Sequence, residues 1–193
     1  NPPPDQIKPV LDLYARGDLS STLNSALNLL LKYPNSFILL NLVAAINQSF
    51  GKNEKAIQFY YKALSLNPNS AELHNNIGTA LQDCGKLKDA VKAYEKAVSL
   101  DSNFADGYFN LGNLLSDIGN LTQAVGSYVQ ALACKPDYLE AYNNFWELKK
   151  KYDKKRRKAI KTLKKKHPRN IPLIKEELAK FDARRKCVNC NKV

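Results

Sequence analysis

The stretch AELHNNIGTALQDCGKLKDAVKAYEKAVSLDSNF, residues 71–104, decides the fold of this 193-residue chain, because its neighbours repeat it in the same register. Glycines fall 34 residues apart, at Gly17, Gly51, Gly85 and Gly119. Further columns keep the same spacing: Ala56, Ala90 and Ala124; Tyr60, Tyr94 and Tyr128; Ala63, Ala97 and Ala131. One period shared by several columns predicts a repeat protein with a 34-residue unit.

Each unit contains two stretches of helical length, in which apolar residues recur at steps of three and four, as in Ala90, Ala93, Tyr94 and Ala97. The periodic glycine lies between the two stretches, where a left-handed backbone conformation commonly ends a helix. Alanine lets paired helices approach closely, and tyrosine fills the space above it. The pattern therefore predicts an all-α fold of helical hairpins with the alanine and tyrosine columns in its core.

The order of a glycine, a small residue, an aromatic residue, a second small residue and a closing proline resembles the tetratricopeptide repeat. That resemblance implies a helix-turn-helix unit that stacks into a right-handed superhelix, an α-solenoid. Residues 1–138 are then expected to hold four units, of which the first diverges: 3–36, 37–70, 71–104 and 105–138. Capping boxes are expected where Asn69 precedes Glu72 and Asn103 precedes Asp106.

Beyond the repeats, residues 139–166 are expected to form a capping helix that runs into a lysine-rich helix. The apolar residues Tyr142, Phe145, Trp146 and Leu148 are expected to cap the last repeat. Residues 167–193 are expected to form a basic tail with a short helix from about Pro172 to Lys186 and a terminal C-x-x-C.

Charge divides the chain near residue 149. Residues 1–148 carry 11 basic and 14 acidic side chains, whereas residues 149–193 carry 19 basic and four acidic ones. Three interpretations of the basic half stay open: a solvated extension, a helix that binds the phosphates of nucleic acid or of an anionic membrane surface, and a tail that folds back onto an acidic groove. The candidate anion-binding residues are Lys149, Lys150, Lys151, Lys154, Lys155, Arg156, Arg157, Lys158, Lys161, Lys164, Lys165 and Lys166.

Asparagine recurs along the first helix of the units. The motifs ELHNNIGTAL, DGYFNLGNLL and EAYNNF resemble the repeats of the O-GlcNAc transferase superhelix, which implies an asparagine ladder that holds the backbone of an extended peptide. A carboxamide suits this role because it offers both a donor and an acceptor, as a peptide unit does. The alternative is that these asparagines only pack the helices. The candidate peptide-binding residues are Asn41, Asn75, Asn76, Asn110, Asn113, Asn143, Asn144, Asp83 and Asp117.

The predicted function is that of a non-catalytic protein-interaction scaffold. The aspartates Asp83 and Asp117 favour a neutral or basic ligand, and the inner columns lack the lysine and arginine set of a carboxylate clamp. Three alternatives stay open: an adaptor that binds nucleic acid or a ribonucleoprotein through the tail, the substrate-recruiting part of a larger bacterial transferase, and an assembly subunit of a large complex. Self-association through the solenoid ends is also open.

No catalytic motif stands out, since the chain has no phosphate-binding glycine loop, no recognisable nucleophile with a base and no dinucleotide fingerprint. Cys187 and Cys190 resemble half of a zinc site, but a structural zinc ion needs four ligands and no second pair follows, so we expect no cofactor. Without a signal peptide, a long apolar run or a disulfide framework, the chain is expected to be soluble and intracellular. Its lack of an initial methionine suggests a processed form or a fragment.

Overall fold

The computed structural model describes residues 1–166, and every regular element within that range is an α-helix, as predicted. The chain divides into two compact units, Asn1–Ser102 and Asn103–Val193. The first unit contains α1 (Pro4–Ala15), α2 (Leu19–Lys32), α3 (Phe37–Ser49), α4 (Asn53–Leu66), α5 (Ala71–Asp83) and α6 (Leu87–Leu100). The second unit contains α7 (Ala105–Asp117), α8 (Leu121–Cys134) and α9 (Leu139–Lys166).

The four periodic glycines lie two residues after the last residue of the first helix of each hairpin. Their φ angles are 77°, 70°, 72° and 81°, a region that side chains of L-residues rarely adopt. After α5, for example, Gly85 N donates to the Gln82 carbonyl at 2.8 Å and the chain enters α6 two residues later. The 34-residue glycine period is therefore a period of helix ends, as the sequence predicted.

The helix starts differ from the predicted capping boxes. Helix α5 is capped by Ser70, whose Oγ accepts a hydrogen bond from Leu73 N at 3.2 Å. Helix α7 follows Phe104 and has no side-chain cap. The prediction that Asn69 and Asn103 cap these helices is wrong, because each helix begins one residue later than the capping boxes require.

The alanine and tyrosine columns fill the inside of the hairpins α3–α4, α5–α6 and α7–α8. The six alanines of the two columns have no exposed surface, and the three tyrosines are at most 2% exposed. Each of the last two tyrosine rings presses against a glycine in the first helix of its own hairpin. A Cβ atom on Gly78 would lie 2.7 Å from the Tyr94 ring, and one on Gly112 would lie 2.8 Å from the Tyr128 ring. The repeat thus has a second glycine column, required by ring packing and not by backbone conformation.

Helix α9 differs from the other first helices because it does not end after one repeat length. The glycine column would next fall on Asp153, and α9 continues through it for 28 residues in all. Ala141 and Leu148 are buried, on the helix that packs against α7 and α8. Of the residues predicted to cap the last repeat, Leu148 is buried and Phe145 half-buried, whereas Tyr142 and Trp146 are 50% and 38% exposed. The most deeply buried part of α9 is therefore its small and aliphatic side, at Ala141 and Leu148.

Candidate peptide-binding site

A cluster of polar side chains joins α7, α8 and α9 in the second unit. Asn113 Oδ1 accepts two hydrogen bonds, one from the Tyr128 hydroxyl at 2.8 Å and one from Asn144 Nδ2 at 2.9 Å. Asn110 lies one helical turn before Asn113 on α7 and is half-buried. The structure therefore brings together asparagines from neighbouring repeat positions. Neither hydrogen bond uses the NH2 group of Asn113 or the carbonyl oxygen of Asn144, which are a donor and an acceptor.

Electrostatics keep this cluster neutral. Burial raises the pKa of the Tyr128 hydroxyl to about 12, the nearby Asn144 amide acts in the opposite direction, and the charge of Asp117 raises the pKa further. The hydroxyl consequently stays protonated near neutral pH and keeps donating to Asn113. The cluster presents hydrogen-bonding groups without a net charge, and the exposed carboxylate of Asp117 is the nearby charge.

The first unit contains related contacts built from other side chains. The Tyr60 hydroxyl lies 3.1 Å from Gln48 Oε1, and Gln48 Nε2 donates to Asp83 Oδ2 at 3.2 Å. In the next hairpin, the Tyr94 hydroxyl lies 3.1 Å from Thr79 Oγ1. Thr79 is 34 residues before Asn113 and so has the same position in its repeat. In the hairpins α3–α4, α5–α6 and α7–α8, the buried tyrosine is therefore held by a polar residue of the first helix.

Sequence reasoning missed this tyrosine contact. The available signal was the pair Gln48 and Gln82, which are also 34 residues apart, because Gln82 Oε1 lies 3.1 Å from the Tyr94 hydroxyl.

The predicted peptide-binding residues fall in both units and differ in burial. In the first unit, Asn75 is buried, Asn76 is half-buried, and Asn41 Oδ1 is buried without a hydrogen-bond partner. In the second unit, Asn143 is exposed and stands outside the cluster of hydrogen-bonded asparagines. The first unit holds Asn41, Asn75, Asn76 and Asp83, and the second holds Asn110, Asn113, Asn143, Asn144 and Asp117.

The predicted anion-binding residues lie along the second half of α9. Lys149 is half-buried, with its Nζ 4.4 Å from the centre of the Trp146 ring, and Lys150 pairs with Glu147 at 2.8 Å. That pair lowers the pKa of the Glu147 carboxyl. The side chains of Lys155, Arg156, Lys164 and Lys166 are outside the described part of the chain. The exposed members of the set are Lys150, Lys151, Lys154, Arg157, Lys158, Lys161 and Lys165.

Metal and membrane features can be judged only up to residue 166. Within that range, no group of three histidine, cysteine or acidic side chains is placed to hold a metal ion. None of the helices described there is long and apolar enough to cross a bilayer. Cys187, Cys190 and the helix predicted from Pro172 to Lys186 lie outside the described residues.

Two family models match the sequence within these hairpins. One, described as a TPR repeat, matches residues 49–83 and 78–119, and the other, described as a tetratricopeptide repeat, matches residues 105–138. Residues 49–138 are tetratricopeptide repeats. No curated protein matches it significantly in sequence. The matched family models support the predicted role of a protein-interaction scaffold.

Solved structures share the fold at low sequence identity. A crystal structure of MamA matches with a TM-score of 0.68 at 20% identity, covering 92% of each chain. The MamA RS-1 ArsTM double mutant matches with a TM-score of 0.70 at 15% identity, covering 95% of this chain and 92% of that one. The first TPR of Spaghetti (RPAP3), bound to the HSP90 peptide SRMEEVD, matches with a TM-score of 0.57 at 23% identity. The match covers 59% of this chain and 90% of that one.

Proposed function

We propose that the chain binds an extended peptide segment of a partner protein through the carboxamides of Asn110, Asn113 and Asn144. The observation that carries this proposal is the hydrogen bond from Asn144 Nδ2 to Asn113 Oδ1, which holds two carboxamides of neighbouring repeat positions together. The remaining NH2 of Asn113 and carbonyl of Asn144 match the acceptor and the donor of a peptide unit. Because these groups would hydrogen-bond to the peptide backbone and not to its side chains, the site tolerates varied peptide sequences.

The charge around the cluster favours a neutral or basic peptide. Residues 103–148 carry five acidic side chains and one basic side chain. The HSP90 peptide SRMEEVD, which is bound by the similar TPR of Spaghetti, has two adjacent glutamates and a terminal aspartate. An acidic peptide of that kind would be repelled by Asp117 and its neighbours. We therefore expect basic and neutral sequences to be selected here.

Combined replacement of Asn110, Asn113 and Asn144 by alanine is expected to weaken peptide binding by about ten- to a hundred-fold, because two or three hydrogen bonds of about 1 kcal/mol each are lost. The probe is a displayed library of unstructured peptides of about 12 residues, a length that suits an extended ligand. Peptides enriched on the full chain are synthesised with a fluorophore, and their affinity is measured by anisotropy.

The matched control replaces Asn24 and Asn28, two exposed asparagines of α2, by alanine. Thermal unfolding of both variants reports whether the fold is kept. Equal affinity of the triple variant and the original chain for the enriched peptides would overturn the proposal. So would a library that yields no peptide enriched over the control support.

A second candidate function is polyanion binding by the basic half of α9. The observation in its favour is the run of exposed cations from Lys150 to Lys165, in a stretch of 18 residues that holds twelve basic side chains and one acidic one. Such a helix would bind phosphates with a steep salt dependence and little sequence preference, because lysine charges neutralise phosphates without reading bases.

Replacing Lys154, Lys158, Lys161 and Lys165 by glutamine is expected to reduce the salt dependence of single-stranded DNA binding, because four phosphate contacts are lost. The slope of log Kobs against log salt should become shallower by about 3. The control makes the same charge change on the repeats, at the exposed lysines Lys62, Lys88, Lys92 and Lys96. Equal slopes in the two variants would mean that α9 is not the binding element.

A further inference from the structure

Two aromatic side chains of the second unit depart from the repeat pattern. One column of the repeat otherwise holds asparagine, in the series Asn41, Asn75, Phe109 and Asn143. Another column holds serine in the first two places and an aromatic residue in the last two, in the series Ser36, Ser70, Phe104 and Tyr138. Both serines cap the helix that follows them, whereas α7 has no side-chain cap after Phe104. An aromatic residue in this column therefore puts a ring where the first unit has a helix cap.

The two departures, Phe109 and Tyr138, contact each other beside the asparagine cluster. The centres of their rings lie 4.9 Å apart, and both side chains are half-buried. The Phe109 ring also lies 6.2 Å from the ring of Tyr128, whose hydroxyl donates to Asn113. The aromatic pair thus adjoins the carboxamides that are proposed to hold a peptide.

A carboxylate belongs to the same pair. Burial raises the pKa of the Tyr138 hydroxyl, a hydrogen bond to Asp106 raises it further, and the charges of Asp106 and Glu140 act in the same direction. The hydroxyl consequently stays protonated at neutral pH and donates to the Asp106 carboxylate. Asp106 is exposed, and a carboxylate accepts several hydrogen bonds. An aromatic ring beside a negative charge is a combination that attracts a cationic side chain.

A cation of the chain itself already lies over this ring. Lys135 Nζ is 4.8 Å from the centre of the Tyr138 ring, and Lys135 is the one basic residue in the sequence from 103 to 148. A turn brings the two residues together, since Tyr138 N donates to the Lys135 carbonyl at 3.2 Å. Lys135 is exposed, and contacts between a cation and a ring are weak at exposed sites. A second cation can therefore replace the lysine at low cost.

We propose that Phe109, Tyr138 and Asp106 form a subsite for one lysine or arginine side chain of the bound peptide, which replaces the Lys135 ammonium on the Tyr138 ring. We call these three residues the cation subsite. The inference rests on the proposed function, because the asparagines hold the backbone of the same peptide. The peptide cation replaces Lys135 because it contacts the ring and the Asp106 carboxylate together.

The position of the cation subsite on α7 predicts where the basic residue stands in the peptide. Asp106, Asn110 and Asn113 lie on one side of the helix, because the second and third are four and seven residues after the first. Asp106 and Asn113 are about 10 Å apart along the helix axis. About three residues of an extended peptide cover that distance. We therefore expect the basic residue about three positions from the peptide residue that contacts Asn113.

Peptides enriched on the full chain should share a lysine or arginine at one fixed position. Replacing that peptide residue by glutamine should weaken binding by about ten-fold, measured by anisotropy. In the variant Asp106→Asn, the two peptides should differ by only about two- to three-fold. The control Asp137→Asn makes the same change of charge in the turn before Tyr138, and it should keep the ten-fold difference. Asp106 and Asp137 are both exposed, so both variants should fold, which thermal unfolding checks.

Variants of the ring and of the resident lysine test the other two elements. Tyr138→Leu removes the ring and should also reduce the difference between the two peptides, whereas Tyr138→Phe keeps a ring and should retain most of it. Lys135→Gln removes the competing cation, so it should strengthen binding of the basic peptide by about three-fold. The glutamine peptide should gain less.

Three outcomes would overturn this inference and leave the proposed peptide site in place. They are enriched peptides without a common basic position, equal effects of Asp106→Asn and Asp137→Asn, and a Tyr138→Phe variant as damaging as Tyr138→Leu. The reverse result is also distinguishable. If the preference for the basic peptide depended on Asp106 and Tyr138 while the Asn110, Asn113 and Asn144 triple variant bound normally, the cation subsite would stand and the proposed function would fall.

Discussion

Replacing Tyr94 by alanine is expected to lower the free energy of unfolding by about 3–5 kcal/mol, the cost of removing a large buried aromatic side chain. Tyr94 is 1% exposed, and its ring occupies the space that Gly78 leaves free on the facing helix. Gly78 has no side chain that could fill the gap left by the ring. The loss should be measured by urea unfolding, followed by far-UV circular dichroism.

The variant Tyr94→Phe separates the ring from its hydroxyl. The hydroxyl lies 3.1 Å from both Thr79 and Gln82, and losing such a contact should cost about 1 kcal/mol. Alanine at Tyr61, which is exposed, should change stability by no more than about 0.5 kcal/mol. If phenylalanine proved as damaging as alanine at position 94, ring packing against Gly78 would not be the main contribution.

Replacing Gly112 by valine is expected to lower the free energy of unfolding by about 2–3 kcal/mol, because overpacking outweighs the better helix propensity of valine. The new Cβ would lie 2.8 Å from the Tyr128 ring, and that ring is held by its hydrogen bond to Asn113. The Tyr128 ring and α7 cannot move apart without opening the core of the hairpin. Urea unfolding of the second unit should show the loss.

A double-mutant cycle tests the cause of that loss. In a Tyr128→Ala background the ring is absent, so Gly112→Val should cost little or even stabilise the chain by filling the cavity. The coupling between the two substitutions should then approach the full cost of Gly112→Val. Additive effects would show that the glycine is needed for a reason other than contact with Tyr128.

The hairpins could be predicted from the sequence because each of their requirements is local and repeats. A left-handed turn needs glycine at Gly85, and close helix packing needs alanine at Ala90 and Ala97, whatever happens elsewhere. The helix caps could not be placed correctly, because Asn69 and Ser70 are both good caps and only the first helical residue decides between them. The packing role of Gly78 was overlooked because the residues next to it in the sequence do not indicate it. The role comes from the Tyr94 ring, which packs against Gly78 from the other helix of the hairpin.

The candidate site was less predictable than the hairpins. Periodicity selected Asn113 and Asn144 as candidates, but their direct hydrogen bond depends on how α9 packs beside α7. The exposure of individual side chains was harder to predict than either. Apolar periodicity cannot tell which apolar side chains of a helix are buried, so it did not separate Leu148, which is buried, from Trp146, which is 38% exposed.

The end of the hairpin series at α9 also sets how this array could grow. Tandem repeats lengthen when a whole unit is duplicated, and a copy inserted before Ala71 or Ala105 would meet compatible neighbours on both sides. A unit grown out of α9 would instead need glycine in place of Asp153, to let the chain reverse, and a small residue in place of Trp146, to admit the next tyrosine. Two side chains therefore act as a length limit on the array, and changing both is the minimal route to a longer one.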